Sequence, residues 1–300
     1  MKLSKAKAQL ALFSNTLIWG GTFTIIKKAL DGISPMAFVS SRFLLASLVM
    51  LPFFGGALLR ANKRQYIQAT NLGILLYIGF ITQTIGLLTT TATKSAFITG
   101  TFVVFTPLLQ TIMERRRPSA ANILAIVLAG FGIIFLSSKG SSLFGILQEL
   151  HDNFSFGDFL TLICAVSYAM YIVYLDMISD NVEFRFLTYW QILVTAILSC
   201  ISIPLLHFTG FEPTRFTLSP TVIGAILYTA LFATVLTTAM QTRFQKAVSP
   251  TRASLIFSME PIFAAIFAFF ILGETISSFG FLGSACILAA IILSEFFSND

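Results

Sequence analysis

Charge is scarce in this chain. Asp, Glu, Lys and Arg together make up 11% of its 300 residues, which leaves too little polar surface to solvate a soluble globule. Histidine occurs twice, at His151 and His207, and neither has a partner at a metal-ligand spacing, so no metal is expected. Cysteine occurs three times, at Cys164, Cys200 and Cys286, far from any C-x-x-C pattern. These are expected to be reduced, small apolar packers on separate helices. No Walker-type G-x-x-x-x-G-K-[ST] sequence is present, and no cofactor motif is visible. Nor do acids and histidines cluster as a lipid-modifying enzyme would need to bind metal or activate a nucleophile.

Hydrophobic residues are abundant, at 56%, and mean hydropathy is +0.87. They fall into ten continuous stretches at 8–26, 36–54, 68–89, 96–113, 120–136, 156–175, 186–206, 221–241, 253–273 and 279–297. Runs of roughly 20 residues match the length needed to cross about 30 Å of hydrocarbon at 1.5 Å per residue. A β-barrel would show ten-residue alternation instead. The expected fold is therefore an all-α polytopic membrane protein with ten transmembrane helices. The stretches form two similar sets of five, over 8–138 and 156–297, joined by an external loop at 139–155. A five-helix unit, once duplicated, must insert its second copy upside down, and inverted repeats of this kind characterise secondary transporters. Within the joining loop, Leu143, Leu147, Leu150 and Phe154 recur at helical spacing, predicting a short interfacial helix.

Basic residues set the orientation. With the N-terminus inside, inner segments hold thirteen Lys and Arg against five outside, so both termini are expected in the cytoplasm of a cell (inner) membrane. The net charge of +6 is scattered over loops, which reads as topology and attraction to anionic lipid, not nucleic-acid binding. Three lysines ahead of the first apolar run imitate a signal peptide. Ser14, Asn15 and Thr16 interrupt that run and no cleavage site follows it, so it is expected to remain as an uncleaved span.

The duplication is visible in residues. Pro107 follows Ser95, and Pro261 follows Ser249, by twelve residues each. A proline inside a membrane helix removes a backbone hydrogen bond and crowds the preceding turn, so matched bends are predicted in the fourth helix of each half. Glu114-Arg115-Arg116-Arg117-Pro118-Ser119 and Gly273-Glu274-Thr275-Ile276-Ser277 then lead into helices with small residues four apart, which permit close contact in lipid. With Ile18-Trp19-Gly20-Gly21-Thr22-Phe23, Ser41-Arg42-Phe43, Thr99 to Leu108, Gly157-Asp158, Glu260-Pro261 and Leu272-Gly273-Glu274, the chain resembles the drug/metabolite transporter superfamily, specifically its EamA-type ten-helix group. The resemblance covers nearly the whole chain. It implies alternating-access transport of small organic molecules through a central cavity between the halves.

Several residues stand out against that background. Glu260 is the one acid expected deep in a span, roughly 12 Å from Arg252. An acid there faces water, is paired, or is protonated, which suits either proton coupling or a structural role at the Pro261 bend. Arg42 can bind an anionic group, close an outer gate, or snorkel to loop carbonyls, and residue counting puts it at a different depth from Glu260. Asn15, Trp19 and Thr22 share one stripe of the first helix, and Tyr168 with Tyr171 forms a similar stripe at the start of the second half; either pair of stripes lines a cavity or packs between helices. Gln83 and Gln191 serve as helix glue or as ligands, and Tyr228, Thr237 and Ser254 are weaker candidates. Gly20 and Gly21, with Pro107 and Pro261, are the expected hinges. The remaining aromatics, dominated by 32 phenylalanines, are expected at lipid-facing surface and cavity wall.

These features favour a secondary transporter of amino acids, nucleosides or drug-like compounds, an exporter by family analogy. A non-transporting membrane scaffold or sensor is the alternative, and an intramembrane lipid-modifying enzyme a remote third. Length allows a working monomer, while the small-residue helices allow a homodimer.

Overall fold

A computed structural model describes residues 5–113, 120–137, 154–210 and 212–297. The Glu114 to Ser119 motif, the expected interfacial helix before Phe154, and His151 lie outside the described residues. Among the described residues there is no β-strand; a single bridge joins Ile33 to Phe216. The helices are α1 (Lys5–Ala29), α2 (Pro35–Phe54), α3 (Lys63–Gly86), α4 (Ala92–Gly100), α5 (Phe102–Met113), α6 (Ala120–Ser137) and α7 (Phe156–Ser179). They continue with α8 (Phe184–Phe208), α9 (Pro220–Ala230), α10 (Thr237–Phe244), α11 (Pro250–Phe257), α12 (Glu260–Leu272) and α13 (Ser278–Phe297).

Turn residues explain the starts. Pro35 and Pro220 each occupy the first turn of their helix, where a missing N–H costs nothing. Asn62 and Ser155 close capping boxes with Gln65 and Asp158, satisfying orphan N–H groups that lipid would leave bare.

Among the described residues, six helical stretches are long and apolar enough to cross a membrane: Pro35–Arg60, Lys63–Gly86, Ala92–Met113, Phe156–Ser179, Phe184–Phe208 and Pro220–Ala247. Leu48, Phe53, Phe208, Phe270 and Phe281 are each at least 65% exposed, a surface that only hydrocarbon solvates well. The protein is a multi-pass membrane protein. Of the other four expected spans, the fifth and tenth are the continuous helices α6 and α13, while the first and ninth depart from unbroken apolar helices in specific ways. α1 is 25 residues long but buries Asn15, Thr16, Thr22 and Thr24, so it is too polar to pass the same test. The ninth stretch is divided at Ser258–Met259 into α11 and α12.

The two halves are interleaved. α1 packs on α12, α2 on α8, α3 on α7 and α8, α5 on α7 and α11, and α6 on α13. Glycine permits the closest of these crossings: a methyl at Gly86 would lie 2.8 Å from the Gly157 carbonyl oxygen, and one at Gly132 would lie 2.6 Å from Ile287.

Candidate functional site

The interleaved halves line a small, partly open cavity of about 60 Å³, room for a few waters. Its wall includes Trp19, Thr22, Arg42, Gln83, Tyr168, Tyr171 and Glu260, seven residues brought together from α1, α2, α3, α7 and α12. Asn15 does not line it, nor do Gln191 and the weaker candidates Tyr228, Thr237 and Ser254. Asn15 is fully buried four residues before Trp19 on the same helix, donates to the Thr237 carbonyl at 3.0 Å, and its Oδ1 has no partner among the described residues.

A widened turn at Leu231–Leu236, between α9 and α10, organises one wall. Here the backbone is π-helical, and Thr234 Oγ1 donates to Thr229 O, five residues back, at 2.8 Å. Such a turn frees backbone and hydroxyl acceptors that a regular α-helix would occupy. Arg42 uses them: Nε donates to Thr234 Oγ1 at 2.7 Å and Nη2 to Ala233 O at 2.9 Å. Trp19 Nε1 donates to Thr237 Oγ1 at 3.0 Å and to Ala233 O at 3.3 Å. Arg42 therefore does not snorkel to a loop; it is 1% exposed and reaches across to the second half. Its guanidinium also lies 4.3 Å from the Phe80 ring centroid, and Phe80 meets Tyr168 edge-on.

The opposite wall is held by neutral hydrogen bonds. Tyr171 donates to Gln191 Oε1 at 2.8 Å, and Gln191 Nε2 donates to Thr242 Oγ1 at 3.2 Å. Gln191 is thus glue between α7, α8 and α10. Gln83 Nε2 reaches Thr99 Oγ1 at 3.3 Å while facing the cavity. Tyr168 owes its place to Gly79, where any Cβ would overlap its ring.

Glu260 is 8% exposed and makes no side-chain hydrogen bond or ion pair among the described residues. Counting residues had separated it in depth from Arg42, yet both line the same cavity. The broken ninth stretch explains this: Glu260 is the first residue of α12, so its carboxylate projects from a helix start at the cavity wall. Pro261 sits in that first turn, where its ring fits without loss of a bond.

The breaks only partly follow the prolines. Pro261 adjoins one, as expected. In the first half the interruption falls at Thr101, six residues before Pro107, which lies inside continuous α5. Thr101 N and Oγ1 both donate to Ile98 O, a tightened turn that ends α4. The two interruptions touch, since a methyl on Gly100 would lie 2.6 Å from Pro261 Cγ. Gly20 is a close-packing point, with a Cβ there 2.6 Å from Phe263 Cβ, and Gly21 lies beneath the Tyr228 hydroxyl.

The comparisons agree with this architecture. The profile of the EamA-like transporter family matches residues 6–138 and again 155–296. The chain belongs to the EamA-like transporter family. An uncharacterized transporter of Archaeoglobus fulgidus is 32% identical over 286 residues, 95% of this chain and 85% of that one. The uncharacterized inner membrane transporter YedA of Escherichia coli is 25% identical over 94% of this chain and 89% of its own length. A crystal structure with 14% sequence identity aligns over 98% of both chains with a TM-score of 0.68, a likeness of fold alone.

In this EamA-like protein the remaining cavity wall comes from residues that sequence reasoning left unassigned. Leu76, Phe80, Phe102, Ile172, Phe257 and Gln241 belong to it, with Ala233 and Thr238. Phe257 meets the Trp19 indole edge-on, with centroids 5.2 Å apart. The only trace of the π-turn in the sequence is a pair of threonines, Thr229 and Thr234, spaced by five.

Proposed function

We propose that this EamA-like protein is a secondary transporter that carries small organic molecules across the inner membrane by alternating access. In this reading ten helices form two inverted five-helix repeats, over 8–138 and 156–297, with both termini in the cytoplasm. The observation that carries it is the cavity between the halves, walled by aromatic rings and holding one carboxylate, Glu260, that no neighbour neutralises. An uncompensated acid at membrane depth is costly and marks substrate or ion pathways. Trp19, Tyr168 and Tyr171 give a compound flat surfaces to lie against, Thr22 and Gln83 offer polar contacts, and Arg42 holds one wall to the other half.

Glu260 takes a proton, or the cationic group of a substrate, in one orientation and releases it in the other. Amino acids, nucleosides and cationic drug-like compounds all suit this lining of aromatic rings, polar groups and one carboxyl once the halves part to admit them, and export is the direction we favour. Uptake of a labelled panel of these compounds into proteoliposomes, with and without a proton gradient, tests the proposal. Gradient-driven accumulation of one class is the expected result; no flux of any compound would return the protein to a scaffold or sensor role.

A further inference from the structure

Gly273-Glu274 marks the far end of the helix that begins at Glu260, and the cavity does not use it. α12 ends in a left-handed residue, Gly273, at φ +68°, a conformation that a side chain would strain. That turn brings Glu274 N to Ala268 O at 3.2 Å and aims the side chain at the start of α4. Glu274 Oε1 accepts from Ala92 N and Oε2 from Thr93 N, both at 2.9 Å. A carboxylate bidentate on two helix-start N–H groups is a charge-assisted contact that the helix dipole favours.

The partner end of α4 carries the second observation. α4 runs from this contact to Gly100, which packs on Pro261 at the start of α12. The two helices therefore touch at both ends, at the cavity through Gly100 and Pro261 and at the membrane surface through Ala92, Thr93 and Glu274. The surface end is further tied down. Lys27 of α1 donates to Leu87 O and Thr90 O, and Asp158 of α7 accepts from Thr90 and pairs with Lys94. A 13-residue helix is a rod of about 20 Å, so a shift of α12 along its axis at the Glu260 end is carried to the Glu274 end.

We propose that Glu274 is a gating latch: it holds the α12–α13 turn on the start of α4 and closes that face of the transporter, and it lets go when α12 moves with its Glu260 end. This rests on the alternating-access reading above, but its test needs no substrate. In protein whose native cysteines are replaced, Thr238→Cys places a thiol in the cavity wall. Its labelling by a membrane-impermeant maleimide is followed from each face separately. Loss of hydrogen bonds to a charged group should raise the rate from the Glu274 face about tenfold in Glu274→Gln and lower the rate from the opposite face. Glu274→Asp, charged but one methylene shorter, should fall between, and it carries the test if Glu274→Gln does not fold. Rates unchanged within about twofold, or raised equally from both faces as in a merely loosened protein, would overturn the latch. Altered labelling without flux of any compound would keep the latch and reject the transporter, so the two failures are distinguishable.

Discussion

Arg42 and Glu260 are a base and an acid in one cavity, yet among the described residues they do not pair. Arg42 is committed to Thr234 and Ala233, and its planar fork suits that divided contact in a way a lysine ammonium does not. Arg42→Lys should therefore lower stability by about 1–3 kcal/mol, read as an earlier denaturation midpoint in detergent, even though charge is retained. An unchanged midpoint would mean that the two bonds contribute nothing. Trp19 is tied to the same turn, so the first helix and Arg42 share one anchor in the second half. At this scale the sequence was partly informative because polar residues in hydrocarbon are conspicuous: seven of the twelve residues singled out line the cavity, and Gln191, Tyr228, Thr237 and Ser254 are among those that do not. Asn15 was missed by one layer, since helical spacing shows which residues share a face but not how deep each is packed. Phe80, Phe102 and Phe257 could not be singled out, because among 32 phenylalanines nothing local separates wall from lipid face.

Helices here are positioned by small residues and by interruptions. Gly79 makes room for Tyr168 and Gly20 lets α12 approach α1. Gly79→Ala should cost about 1–3 kcal/mol by overpacking and push Tyr168 toward the cavity. Gly224→Ala, with nothing within 4 Å of the added methyl, should leave the melting midpoint unchanged or slightly higher. Equal midpoints for the two variants would contradict the packing described for α3 and α7. Interruptions were only half legible. Pro261 marks its break because proline favours the first turn of a new helix. Thr101 has no such marker, and its break follows from a tightened turn beside the Pro261 ring, a contact between residues 161 positions apart. The π-turn likewise depends on what it receives, namely Arg42 and Trp19 from the other half.

Across the whole molecule, apolar length and duplication were readable from sequence, because a membrane imposes one length and one periodicity on every crossing. How the halves interleave was not, since the pairing of α3 with α7 or α6 with α13 is set by surfaces that meet only after folding. Of the two roles proposed for Glu260, proton or substrate-cation binding, the first would couple movement of the halves to a proton gradient. The most direct test compares wild type with Glu260→Gln in proteoliposomes, using the compound that wild type accumulates. The account predicts that Glu260→Gln reconstitutes and folds but loses accumulation driven by a proton gradient. Accumulation by Glu260→Gln at the wild-type level, with the same dependence on the gradient, would contradict it and leave Glu260 as a residue of the α11–α12 junction only.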